Sequence, residues 1–373
     1  MAKRKYDVVI FGATGFTGRL VAEYLLEQYS VGGDLKWAMA GRSAEKLQKI
    51  QNEIGAEDVD TIIADSKDRA SLDAMTAQTK VICTTVGPYA MYGSDLVASC
   101  IENGTHYCDL TGEVQWIRRM IDQHHDAAVA QKVKIVNSCG FDSIPSDMGV
   151  FYLQKEAKER FGEPCQKIKF RLKAAKGGFS GGTVASLNYV LEEAAQDKSI
   201  FDILENPYSL APAGERQGVA QDDAMVAGFD EDLQAHTAPF VMAPINTKVV
   251  RRSNALLGYP YGKDFQYDEK MLSGKGISGK LTANVIAGGM GLVMGAKPGS
   301  LFKKVIDRFT PDPGEGPSKK ERENGFFSII LIGKTKDGRI IRGRVKGKRD
   351  PGYGCTSRML AESAVSLAKD KLL

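Results

Sequence analysis

From residue 6 to residue 145 the chain alternates short, almost continuous apolar runs with stretches of helical spacing. The runs are YDVVIF (6–11), KWAMA (36–40), DTIIA (60–64), KVICTTV (80–86), HYCDL (106–110) and KIVNSC (134–139). Between the first two, Leu20, Val21, Tyr24 and Leu25 share one helix face. A strand that is apolar on both sides needs cover on both. The pattern therefore predicts a six-stranded parallel sheet, doubly wound in the Rossmann manner.

After residue 150 the rhythm changes. QKIKFRLKA (166–174) alternates strictly, with Ile168, Phe170, Leu172 and Ala174 on one side and charges on the other. That predicts a strand with one wet face in an antiparallel or mixed sheet. GFFSIILIG and RIIRGRVKG flank KTKDGR, whose Asp337-Gly338 suits a hairpin turn. Residues 200–285 show scattered prolines and predict irregular structure with some helix, whereas TSRMLAESAVSLAKDKLL at the end predicts a helix burying Met359, Leu360, Ala364 and Leu367. The fold class is thus α/β, with a second α+β unit.

The first strand runs into GATGFTG, placing Gly12, Gly15 and Gly18 between a strand and a helix. Gly12 suits a tight turn, Gly15 a close backbone approach to a pyrophosphate, and Gly18 close helix packing. The loop residues Gly12, Thr14, Gly15, Phe16, Thr17 and Gly18 are assigned to a dinucleotide, held by the helix N-terminus. The second strand ends AGRSAEKL, with Arg42 and Ser43 where an NAD site would carry an acid. A guanidinium there favours a 2′-phosphate, hence NADP(H). Asp65, at the third strand's end, faces either the adenine or the next helix as a cap. Gly87 and Pro88 would shape a loop beneath the nicotinamide ribose.

The six cysteines form no CxxC pair, and no metal site is visible. A reduced, cytoplasmic setting fits them. Net charge is +4 without a long basic run, which argues against nucleic acid as partner. NVIAGGMGLVMGA (284–296) is too short to span a bilayer, which takes about 20 apolar residues. It is expected to be a buried, closely packed element. Peripheral contact with lipid is the alternative, to which KKVIDRF would add basic charge.

FGATGFTGRL, AGRSAEKL, TTVGPYAMYGSDLVASCIENGTHYCDLTGE and NSCGFDSIPSDMG resemble the saccharopine dehydrogenase-like oxidoreductases. With KGGFSGGTVAS and DPGYGCTSRMLAESAVSLA, the chain is most similar to their trans-acting enoyl reductase branch. The resemblance implies an NADP-binding domain (1–148), an inserted α+β domain for substrate or dimerisation (149–348), and a helix returning to the first domain (349–373). It also implies reduction of a carbon–carbon double bond in a lipid-like acyl substrate, free or on a carrier.

Such chemistry needs hydride at the β-carbon, a stabilised enolate oxygen and a proton for the α-carbon. Tyr89 and Asp142 are the catalytic candidates, with Tyr92, Asp109, Glu113 and Ser143 nearby at the strand ends; either tyrosine could instead be a packing residue. Asp109 is expected mainly to hold its loop, and Asp142 and Ser143 could instead cap a helix near Pro145. The GGFSGGT turn could receive an anionic substrate group, and the second sheet could form a homodimer contact. Two alternatives stay open: a saccharopine-type amino-acid dehydrogenase and a non-catalytic NADP-binding sensor or scaffold.

Overall fold

The computed structural model describes residues 4–177, 181–221, 225–294 and 316–372. Strands β1 (Tyr6–Phe11), β2 (Trp37–Gly41), β3 (Thr61–Ile63), β4 (Thr79–Thr84), β5 (His106–Cys108) and β6 (Ile135–Val136) form one parallel sheet in the order β3-β2-β1-β4-β5-β6. All six residues of β1 are buried, because its two faces feed two separate cores. Val8 and Ile10 pack on one side with Val21, Leu25 and Leu47. Val9 and Phe11 pack on the other with Leu72, Met75, Leu96 and Trp116. The helices that supply this cover are α1 (Phe16–Tyr29), α2 (Ala44–Ile54), α3 (Arg69–Thr76), α4 (Tyr89–Tyr92), α5 (Ser94–Glu102) and α6 (Val114–Ala130).

Helix α7 (Ile144–Phe161) leads into the second layer and packs on it through Val150, Leu153 and Ala157. There follow β7 (Cys165–Lys176), α8 (Gly181–Gln196), α9 (Ser199–Glu205), β8 (Gly228–Asp230), β9 (Ala235–Pro239), α10 (Ala243–Leu256), β10 (Gln266–Gly274), α11 (Gly276–Met294), α12 (Lys319–Glu323), β11 (Phe326–Thr335) and β12 (Ile340–Gly347). Their sheet order is β12-β11-β7-β10-β9-β8, with β7 and β10 parallel and the other neighbours antiparallel. The β11–β12 hairpin turns at Gly338, whose φ of +94° is the left-handed conformation that glycine tolerates.

The expected wet face of β7 is instead partly closed. Arg171 is 4% exposed, donates to Asp230 at 2.7 Å and pairs with Asp268. A guanidinium between two carboxylates meets the cost of burying charge, so alternation alone misjudged this face. The expectation of a buried 284–296 run also fails. Leu292 is 63% exposed and Val285 66%, both on α11, while residues 295–296 and the KKVIDRF stretch lie outside the described residues.

After a π-type turn at Pro351–Cys355, helix α13 (Thr356–Lys369) returns to the first sheet. Leu360, Ala361, Ala364 and Leu367 complete the core beneath β1 and β4, and the Tyr24 hydroxyl donates to Glu362 at 2.8 Å.

Candidate dinucleotide site and its acid

The turn after β1 is built by close approach. Gly12 has φ +94°, and its N–H donates to the Ala40 carbonyl. A Cβ on Gly18 would stand 2.2 Å from the Gly12 carbonyl oxygen, so only glycine lets α1 begin this near the strand. A Cβ on Gly12 would stand 2.8 Å from Thr85 Oγ1. Gly15 is the N-cap of α1 and is exposed, with no side-chain cap and no acid in the first turn. The first backbone N–H groups of α1, at Phe16, Thr17 and Gly18, lack intrahelical partners by the geometry of a helix start. Helices α2 and α3, by contrast, are capped by Ser43 and Asp68. An uncapped, unacidic helix start behind an exposed glycine fits a diphosphate.

Thr14 is half-buried against Gly41, and the Phe16 ring lies edge-on to Tyr353 at 4.7 Å with the Arg322 guanidinium over it. Phe16 therefore ties the phosphate loop to the chain's closing turn. Arg42 stands exposed at the end of β2, with no hydrogen-bond or ion-pair partner among the described residues. Ser43 accepts the Lys46 N–H at 3.2 Å, which leaves its hydroxyl proton free to donate. Asp65 accepts the Lys67 N–H at 3.0 Å, while Asp68, three residues later, is the helix cap. Lys67 lies over the Tyr92 ring, 5.9 Å from its centre.

The fourth strand leads into the Gly87-Pro88 cis peptide. Here the placement of Tyr89 corrects the expectation that it faces a reacting centre. Its side chain is 3% exposed, its ring tilts against Trp116 at 5.7 Å, and its hydroxyl donates to the Thr84 carbonyl. Burial pushes its pKa well above the usual phenol value. A proton held that tightly in a core is a packing feature. The backbone of the same residue is held by Glu113, whose two oxygens accept the N–H groups of Tyr89 and Ala90 at 2.8 Å each. Glu113 also accepts the Ser186 hydroxyl of α8 at 2.9 Å, joining the two domains at this loop. Burial raises the Glu113 pKa against the pull of those donors.

Asp109 is fully buried and accepts from Thr111 N, Ser138 N, Tyr107 Oη and Asn137 Nδ2. Burial raises it to about 6, while the four donors oppose the shift. It holds the β5 and β6 exits together, as expected from its position.

Asp142 differs from both. It is half-buried in the turn before α7 and has no hydrogen-bond partner among the described residues. Desolvation pushes it up to about 7. The adjacent Ser143 has φ +101°, a strained value for a residue with a side chain. Ser143 is fixed by its hydroxyl on Asn246 Oδ1 at 3.0 Å, and Asn246 in turn donates to the buried Glu269 at 2.9 Å. Neither Asp142 nor Ser143 caps α7 with a side-chain bond. The Asn246–Glu269 support has no local signal in the chain, because it depends on α10 and β10 packing beneath the turn.

Residues 178–180 of the GGFSGGT turn lie outside the described residues. Among the described residues no cluster of histidine, cysteine, aspartate or glutamate suits a metal, and no helix is long and apolar enough to cross a membrane.

The parallel sheet, the glycine cradle and the uncapped helix start define a Rossmann dinucleotide-binding protein. The saccharopine dehydrogenase NADP binding domain matches residues 8–136. A Mycobacterium tuberculosis protein named provisionally as a trans-acting enoyl reductase is 39% identical over 380 residues, covering 99% of this chain and 90% of its own. A trans-acting enoyl reductase of Mycobacterium bovis is 36% identical over 388 residues with the same coverage. Saccharopine dehydrogenase (L-Glu forming) from Saccharomyces cerevisiae shares the fold, with a TM-score of 0.50 at 11% identity over 97% of this chain and 91% of that one. The chain belongs to the saccharopine dehydrogenase-like oxidoreductases, an NADP-binding family, and its relatives at this identity are the trans-acting enoyl reductases.

Proposed function

We propose that this protein is an NADPH-dependent reductase of the carbon–carbon double bond in an acyl substrate, presented free or on a carrier, with Asp142 as the proton donor. The α1 N-terminus would hold the diphosphate, and Arg42 with Ser43 the 2′-phosphate. Bound there, NADPH supplies the hydride for the β-carbon. Asp142, pushed up to about 7, still carries its proton in part at neutral pH and has no hydrogen-bond partner among the described residues, so it suits protonation of the α-carbon.

The observation that carries the acyl reading over an aminodicarboxylate one is the engagement of the inner arginines. Arg171 is held by Asp230 and Asp268. Arg251 donates to Tyr267 O, and Arg252 to Leu210 O. Arg171 and Arg251 cannot also clamp substrate carboxylates without breaking bonds that hold the fold, and Arg252 alone of the three keeps N–H groups to spare, one guanidinium for the two carboxylates of such a substrate. The names of the relatives at 36–39% identity support the same reading.

The test is NADPH oxidation against enoyl thioesters and, separately, against lysine with 2-oxoglutarate. Turnover of the thioester alone bears the proposal out. Turnover of the amino acid pair alone sinks it, and tight NADPH binding without either turnover favours a sensor or a substrate presented only on a carrier protein.

A further inference from the structure

We infer that α11 is a peripheral membrane-docking helix that lies flat in the interface of an anionic bilayer. Its inner side rests on the second sheet. Gly279 and Ala283 are buried, Ser273 donates to the Gly279 carbonyl at 2.9 Å, and a Cβ on Gly279 would stand 2.4 Å from the Gly274 carbonyl carbon. Its outer side is an aliphatic stripe. Ile277 is 88% exposed, Leu281 65%, Val285 66% and Leu292 63%. These positions recur at steps of four, four and seven, which keeps them on one face of a helix. At about 1.5 Å per residue the stripe runs roughly 22 Å. Exposed aliphatics on soluble surfaces are mostly scattered singly, and a contiguous exposed stripe marks an interaction surface.

Charge decides which occupant this face fits. The nineteen residues of α11 include no acid and a single cation, Lys280. Lys275 precedes the helix, and both lysines are exposed without an ion-pair partner among the described residues. At the same end, Gly274 pairs with His236 across the sheet, and the exposed Phe229 ring lies 5.0 Å from His236. An aliphatic stripe with lysines and an aromatic ring at one margin is the composition of an interfacial helix, where the lysines meet lipid phosphates and the ring sits at headgroup depth. A second copy of α11 would bring no carboxylate to either lysine. The helix is too closely seated on β9 and β10 to turn upright, so it docks parallel to the membrane plane.

Flotation of the full chain with vesicles tests this. In about 0.1 M salt the protein should float with vesicles of phosphatidylcholine containing about 30% phosphatidylglycerol, where anionic attraction acts over roughly 10 Å. Leu281→Asp/Val285→Asp should reduce flotation at least about tenfold. Lys275→Glu/Lys280→Glu should reduce it by a smaller factor that vanishes in high salt. All four positions are exposed, and unchanged NADPH binding and circular dichroism confirm that the variants fold. Absence of flotation by the wild-type chain overturns the inference. So does a wild-type dimer in sedimentation velocity that Leu281→Asp/Val285→Asp converts to monomer while neither floats, since the stripe then belongs to a second copy.

Discussion

Glu113 and Ser186 meet where the two domains touch: the Ser186 hydroxyl donates to a carboxylate oxygen that already accepts the Tyr89 N–H. One buried acid thus holds the loop after β4 and the helix that lies over it. Glu113→Gln keeps the shape but leaves one acceptor where three donors converge, stranding a backbone N–H. It should destabilise the protein by about 1–3 kcal/mol, measured by chemical denaturation. Ser186→Ala removes only the inter-domain donor, so it should cost less stability and act mainly on substrate KM. Equal losses from both substitutions would show that Glu113 serves the seam alone.

Arg42→Ala should weaken NADPH binding by roughly 10- to 150-fold, the equivalent of a charged hydrogen bond, and leave NADH within about twofold. Calorimetry with the two cofactors separates the effects. A parallel loss for NADH would place Arg42 in general support of the β2 turn.

For Asp142 the stability and activity effects should run in opposite directions. Its folded pKa of about 7 lies above the ordinary aspartate value of 3.8, so the folded state binds the proton more tightly than the unfolded one. The stability Asp142 contributes is then complete below about pH 4 and declines as pH rises toward 7, by up to about 4 kcal/mol. Asp142→Asn should therefore raise the Tm at pH 8, change it little at pH 4, and lower kcat at least about a hundredfold. In the wild type, kcat should fall above pH 7 as the proton is lost. A variant that is stabilised at pH 8 yet fully active would end the assignment of Asp142 as proton donor.

Gly18→Ala puts a methyl 2.2 Å from the Gly12 carbonyl oxygen and 2.9 Å from the Thr85 hydroxyl. The turn must open, which should cost at least about 3 kcal/mol and abolish binding of either nicotinamide cofactor. Gly55→Ala, at a helix end where a Cβ meets nothing within 4 Å but φ is +71°, is the contrasting case. It should cost about 1 kcal/mol and leave binding intact.

The first domain was legible because its signals are local. Short apolar runs, a glycine turn and Arg42 at a strand tip each depend on neighbours within a few residues. The β11–β12 hairpin was readable for the same reason. Tyr89 was misplaced because alternation does not say which way a side chain turns in a loop beyond a strand, and Trp116, which covers it, comes from a later helix. The face of β7 was misjudged because Asp230 and Asp268, which neutralise Arg171, come from two later strands. The α11 run looked like core because composition cannot distinguish apolar residues covered by protein from those left outside. Asp142 was named from its position, but its lack of a hydrogen-bond partner among the described residues is a property of the folded turn.

The return of α13 also bears on how the molecule is made. Tyr24 and Glu362, bonded in the finished structure, are 338 residues apart in synthesis. While the middle of the chain is being translated, the face of β1 that carries Val8 and Ile10 waits for Leu360 and Ala364. That side of the dinucleotide-binding core is therefore completed only by residues made after both sheets, so its apolar face stays uncovered until α13 has been synthesised.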